Sequence, residues 1–266
     1  MKIGCCVNMV SEHEGGIGIE RIETLAAAGY DYVELPLAQM MELSEKEFDL
    51  LVEKIRKSGI PCEACNNFFP SSVRLTGSDV NIRLVEKYID KALWRAQKLG
   101  AKSIVFGSSA AKNVPECFEY KKAWEQIADV LCIIDEKIGE WDINITIEPL
   151  CKLESNIINN AHQGWILAKQ VSRKHIKLLI DYYHLCIENE EQSIINEVSG
   201  FLQHIHIANP KGRVFPKSDD GVDYKTFLNN LKLAGYDSRV SIEAYTENFL
   251  QAAPDALSTI REAIKQ

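Results

Sequence analysis

Several features are scarce in this chain of 266 residues, and each scarcity removes a class of protein. Basic residues are outnumbered: 30 Lys and Arg stand against 38 Asp and Glu, a formal charge of −8. A phosphate-backbone partner needs a basic stripe, so no nucleic acid is expected. No window approaches the roughly 20 consecutive apolar residues of a membrane span, so no membrane partner is expected either. Met1 leads directly into an apolar run at 3–7 with neither a basic leader nor a small-residue cleavage site, the pattern of a cytoplasmic protein. Eight cysteines are present, but the pair Cys62 and Cys65 has no second C-x-x-C to complete a zinc ribbon. Thioredoxin-type pairs open a helix, whereas these two fall in an apparent strand, and buried reduced thiols are expected. A dinucleotide fingerprint is missing, because Gly15-Gly16-x-Gly18 does not follow a strand directly. No linker or low-complexity stretch divides residues 1–266, which read as a single domain.

What is present is an alternation of short apolar runs with longer amphipathic ones. Strands are expected at 3–7, 32–35, 60–65, 103–106, 143–148, 176–181, 204–207 and 240–243. Helices are expected between them: one ending at Ala28, one capped by Ser44 with Glu47 completing a capping box, then about 80–99, 115–137, 156–170, 192–198, 224–234 and one from about 254. Eight strand-then-helix units is the count of an α/β protein of the (β/α)8 TIM-barrel class, and the chain length suits one such barrel. An open doubly wound sheet is the alternative that the missing fingerprint weakens.

Four side chains then stand out at strand ends. Glu148, Asp181, His206 and Glu243 lie 33, 25 and 37 residues apart, each after a short aliphatic run. Side chains along a strand alternate between faces, so parity tests whether the four can converge. Ile143, Ile145 and Ile147 oppose Glu148; Ile176, Leu178 and Ile180 oppose Asp181; Ile205 and Ile207 oppose His204 and His206; Val240 and Ile242 oppose Ser241 and Glu243. All four therefore take the polar side. A carboxylate at a strand end often caps the next helix, but four on consecutive strands with matching parity are hard to obtain from capping alone. Three carboxylates and one imidazole form a hard donor set for a divalent metal, best suited to Mn²⁺, with Mg²⁺, Co²⁺ or Zn²⁺ as the other candidates. His204 lies one inward layer deeper and is expected to hydrogen-bond within the barrel. His13, His162 and His175 bear no relation to strand ends and are expected at the surface or in caps.

The segments Ile147-Glu148-Pro149, Asp181-x-x-His184, His204-x-His206 and Ser241-Ile242-Glu243 resemble the xylose isomerase-like superfamily, and within it the tagatose and psicose (allulose) 3-epimerases. The resemblance spans nearly the whole chain, with its specific motifs confined to the last four strands. It implies that Glu148, Asp181, His206 and Glu243 bind the metal and that Glu148 and Glu243 are the catalytic pair. It further implies that Glu154, His184 and Arg213 hold the substrate. Ser108, with Asn66 and Glu34 at other strand ends, is expected to complete the pocket. Inverting C3 of a ketose requires removing a proton beside a carbonyl and returning one to the opposite face through a cis-enediolate, which two carboxylates on strands half a barrel apart would serve.

Departures from the pattern leave the sugar open. Ala208-Asn209-Pro210 replaces the Gly-Glu or Ser-Glu pair that those epimerases carry after the seventh strand. Hydroxypyruvate isomerases share the style of Asp181-Tyr182-Tyr183-His184 but place glutamine at the position of His206. Inosose isomerases and dehydratases keep the acidic and histidine set. Moving the proton between C1 and C2 instead would give aldose–ketose isomerisation. Lys112, Lys211, Arg213 and Lys217 fall in expected top-face loops, which keeps sugar phosphates among the candidate substrates beside free sugars, with a solvated charge run as the plainer account of the lysines. An endonuclease of the same superfamily would need a DNA groove that the acidic balance disfavours. A non-catalytic sugar-binding or partner-subunit barrel has no use for two opposed bases. Such barrels commonly self-associate, and a homo-oligomer is compatible with the sequence although no residue marks its interface.

Overall fold

Strand residues of one parity face the helices and those of the other face the barrel axis, and this division organises the whole molecule. The computed structural model describes residues 1–265. Eight parallel strands, β1 (Lys2–Cys6), β2 (Tyr32–Pro36), β3 (Cys62–Asn66), β4 (Ser103–Phe106), β5 (Asn144–Ile147), β6 (Ile176–Asp181), β7 (Leu202–Ile207) and β8 (Arg239–Ile242), close into a barrel in sequence order. The helices are α1 (Ile22–Ala28), α2 (Leu37–Glu42), α3 (Glu45–Ser58), α4 (Ile82–Leu99), α5 (Ser109–Lys112), α6 (Tyr120–Ile138), α7 (Ala161–Val171), α8 (Tyr182–Ile187), α9 (Ile194–Val198), α10 (Tyr224–Leu233) and α11 (Phe249–Lys265). Among the described residues no helix is long and apolar enough to cross a membrane.

The apolar core lies between the sheet and the helices. Ile145, Ile147, Leu178, Ile180, Ile205, Ile207, Val240 and Ile242 all belong to it and are buried, each contributing about 1.5–3 kcal/mol by leaving water. The barrel axis is polar instead. Gly4 pairs in register with both Tyr32 and Ser241, and a Cβ on Gly4 would stand 2.3 Å from the Tyr32 ring. Glycine there gives the tyrosine its room inside the barrel. The pairings Asp181↔His206 and His206↔Ser241 set three of the inward residues level.

Local chemistry explains most element ends. Ser44 and Glu47 form the expected capping box, and side chains of Asn81, Asn160 and Asp223 accept first-turn N–H groups of α4, α7 and α10. Three expectations are corrected. The first strand stops at Cys6, and Val7–Val10 forms a 3₁₀ turn. The helix expected from 156 begins at Ala161, because Asn159 and Asn160 spend their side chains on loop carbonyls and on the cap. The last helix begins at Phe249 and carries Pro254 within it. Phe249 is held by contacts with Phe215 and Arg21, and Pro254, the sixth residue, lacks the N–H that would bond to Leu250 O.

Candidate metal centre

Glu148 and Glu243 each lie one residue beyond their strands, yet their N–H groups still bond to the neighbouring strands, to Phe106 O at 3.2 Å and Ile207 O at 3.1 Å. Their carboxylates are thereby fixed to the barrel rather than to loops. Glu148, Asp181, His206 and Glu243 are all buried, and one donor atom from each can be chosen so that all lie within 4.8 Å of one another. His206 Nδ1 stands 3.1 Å from Glu148 Oε1 and 3.3 Å from Glu243 Oε2. Three buried carboxylates and one imidazole nitrogen form a hard, oxygen-rich donor set that fits a divalent metal.

The electrostatics carry the same mark. Burial opposes charge on both groups, but Glu243 is held well below the usual carboxylate range, chiefly by His206 and Arg213. His206 is raised well above its ordinary value by Glu243 and Glu34 despite its burial. Arg213 binds three carboxylates at once: its Nη2 donates to Glu243 Oε2 and, at 3.3 Å, to Asp181 Oδ2, while Nη1 donates to Glu154 Oε1 at 3.1 Å. Its backbone is left-handed at φ 51°, a conformation uncommon for a side-chain-bearing residue. Short bridges hold it there, with Tyr245 N donating to Arg213 O at 2.8 Å and Val214 paired to both Asn209 and Tyr245.

His184 plays a different part from His206. The Cys151 N–H donates to His184 Nδ1 at 3.2 Å, so the neutral ring carries its proton on Nε2. That buried Nε2–H has no partner at hydrogen-bond distance among the described residues and points past Asp181 Oδ2, 3.6 Å away. That Nε2–H is thus left available as a donor. Asp181 is divided similarly: Oδ1 accepts from Tyr183 N at 2.8 Å and caps α8, leaving Oδ2 to the site.

A cavity of about 260 Å³ opens above Glu148 and Glu243, walled by Asn8, Asn66, Ser108, Glu154, Arg213 and Tyr245. Asn66 donates to Asn8 Oδ1 at 3.0 Å and to Glu243 Oε1 at 3.3 Å. Ser108 accepts from Phe69 N at 2.9 Å. Asn8 and Tyr245 are additions that strand parity could not reveal, because Asn8 sits in the 3₁₀ turn after β1 and Tyr245 in the segment after β8. Glu34 departs from expectation: it is fully buried beneath His206, bonded to His204, His206 and Ser241, and does not line the cavity. Its layer lies too deep for a ligand to reach. His204 bonds within the barrel as expected. His13 and His162 are exposed, whereas His175 is buried at the foot of β6 with its ring against Gly139 O at 3.1 Å.

Lys112 also departs from a solvated role. It is fully buried, with its ammonium donating to Gly107 O, and burial lowers its pKa to about 8 even though Glu148 and Glu154 work in the opposite direction. Lys211 and Lys217 are exposed and lie outside the cavity.

The chain is 25% identical to the ketose 3-epimerase of Arthrobacter globiformis over 263 residues, covering 96% of this chain and 86% of that one. It is 24% identical to the D-psicose 3-epimerase of Agrobacterium fabrum over 202 residues, 73% of this chain and 68% of that one. The crystal structure of the D-psicose 3-epimerase of Clostridium cellulolyticum with D-tagatose superposes with a TM-score of 0.85 at 20% identity, covering 99% of each chain, a likeness of fold. The model of the xylose isomerase-like TIM barrel matches residues 22–266, and the chain belongs to that family.

Proposed function

We propose that this chain is a divalent-metal-dependent ketose 3-epimerase acting on an uncharged sugar. The observation that carries the reading is the approach of Glu148 and Glu243 to one imidazole nitrogen from strands on opposite parts of the barrel, 3.1 and 3.3 Å away. A bound metal, assigned as Mn²⁺ on the hardness of the donors, would polarise the substrate carbonyl as a Lewis acid. Glu148, Asp181, His206 and Glu243 would hold it. One of the two glutamates accepts the C3 proton and the other delivers a proton to the opposite face of the planar enediolate. Arg213 offsets the carboxylate charge and ties Glu154 to the site, and the Nε2–H of His184 is left free to donate to a substrate oxygen.

The charge of the cavity supports a neutral substrate. Arg213 is the one cation lining it among the described residues, and it is committed to three carboxylates. Lys112 is sealed off, and the remaining wall is amide and hydroxyl from Asn8, Asn66 and Ser108. Those groups suit sugar hydroxyls, whereas a phosphate would meet net negative potential. The test is NMR in D₂O of free ketoses and their phosphates with Mn²⁺-loaded protein. Deuterium at C3 with a new epimer, from free ketoses in preference to phosphates, is the expected result. Exchange confined to C1 and C2 would make the protein an aldose–ketose isomerase, and a preference for phosphates would overturn the neutral-substrate reading.

A further inference from the structure

Beneath the candidate metal donors lies a buried polar chain that the reaction itself does not touch. Ser241 Oγ donates to Glu34 Oε2 at 2.6 Å, so the Tyr32 hydroxyl, 2.7 Å from Ser241 Oγ, is the donor in that contact. His204 Nε2 lies 2.8 Å from Glu34 Oε2, and His206 Nε2 lies 3.0 Å from Glu34 Oε1. All four residues are buried along with Glu34. Three of these four contacts converge on one carboxylate, which can only accept when ionised. His204 Nδ1 has no partner among the described residues, so the contact at Nε2 is the one that assigns its proton, toward Glu34.

We infer that Glu34 is a positioning residue: it takes the Nε2–H of His206, fixes that ring's tautomer and orientation, and so presents the bare Nδ1 to the metal. This rests on reading Glu148, Asp181, His206 and Glu243 as the metal donors. The alternative tautomer would put a proton on Nδ1, between the imidazole and the two glutamates, where the metal has to bind. A carboxylate anchored by Ser241 and His204 can favour only the first arrangement. Carboxylate partners of this kind also raise the basicity of the ligating nitrogen.

The test uses Mn²⁺ alone, with the electron paramagnetic resonance signal of the free ion reporting binding to the whole protein. Glu34→Gln keeps the volume but lets an amide N–H face His206 Nε2, which drives the proton to Nδ1. It is expected to weaken Mn²⁺ binding roughly 10–100-fold with the circular dichroism spectrum unchanged, and Ser241→Ala to weaken it in the same direction by less. Folded Glu34→Gln protein with Mn²⁺ affinity within about twofold of wild type would overturn the inference. If wild type itself fails to bind Mn²⁺, the reading of the donors falls instead. A measurement independent of any variant's folding is ¹⁵N NMR of Zn²⁺-loaded wild type with labelled histidine. Nδ1 coordination with a slowly exchanging Nε2–H on His206 is expected, and coordination through Nε2 would refute the proposal.

Discussion

The carboxylate of Glu148 rests against the α-carbon of Gly107: a Cβ built on Gly107 would stand 2.0 Å from Glu148 Oε2 and 3.1 Å from its Cδ. Gly107 is required at this position by contact rather than by backbone angle. Its carbonyl is held in turn by the Lys112 ammonium, so the loop after β4 forms one wall against which the glutamate is set. Gly107→Ala is expected to push Glu148 aside by a fraction of its length and to lower kcat about 100-fold, as misplacement near 1 Å commonly does. Steady-state rates beside a thermal melt check this, and an alanine variant with wild-type kcat would show that Glu148 has another place to go.

Removing charge from the two glutamates gives the most direct test of the reaction. Glu148→Gln and Glu243→Gln are each expected to lower epimerisation by about 10³-fold under saturating metal, within the range for loss of a general base. The protein should remain folded, since both side chains border a cavity rather than the apolar core. Deuterium incorporation at C3 reads the outcome. Near-normal interconversion of epimers by either variant would eliminate the two-base mechanism.

Metal removal should act on stability as well as on rate. Stripping with a chelator is expected to abolish turnover, and Mn²⁺ to restore it. At an ion concentration 100 times its Kd, binding adds about 2.7 kcal/mol to the folded state, a rise of about 5 °C or more in Tm for a chain of this size. A melting curve indifferent to Mn²⁺ would argue that the acidic cluster serves only as structure.

Lys112 predicts a stability that rises with alkalinity. Its pKa is about 8 in the folded protein and near 10.5 when exposed. Between those values the unfolded chain binds more protons than the native one, so stability increases as pH rises through that window, and below pH 8 the full penalty of the buried ammonium is present. The gain approaches roughly 3 kcal/mol across the window. Denaturant titrations of wild type and Lys112→Met at intervals from pH 7 to 10 isolate it. The variant's advantage should be greatest at the acidic end and shrink steadily, and parallel curves would show that Lys112 does not titrate there.

Parity along the strands was enough to place Glu148, Asp181, His206 and Glu243 together, because a period of two fixes which face a residue takes. It does not fix depth. Glu34 satisfied the same rule and the same strand-end criterion, yet β2 pairs with β3 through a register shift between Val33 and Glu34, and its partners come from β7 and β8, some 170 to 207 residues away. Lys112 was opaque for a similar reason. Its neighbours in sequence are small and polar, and the segment that carries it is tied to a distant loop, where Thr76 Oγ1 donates to Lys112 O at 3.2 Å. Contacts between remote segments decide both cases, and no local pattern encodes them.

The polar axis of the barrel has a consequence for how this protein can evolve. Tyr32, Ser241, Glu34 and His204 occupy space that an unspecialised barrel would fill with aliphatic side chains, and each is tied to the next by hydrogen bonds. A random substitution there breaks a shared network, whereas one between the sheet and helices changes only local packing. Selection for heat tolerance should therefore enrich changes in the outer ring of helices and leave the axis untouched, so that robustness and chemistry can be tuned on separate parts of one small scaffold.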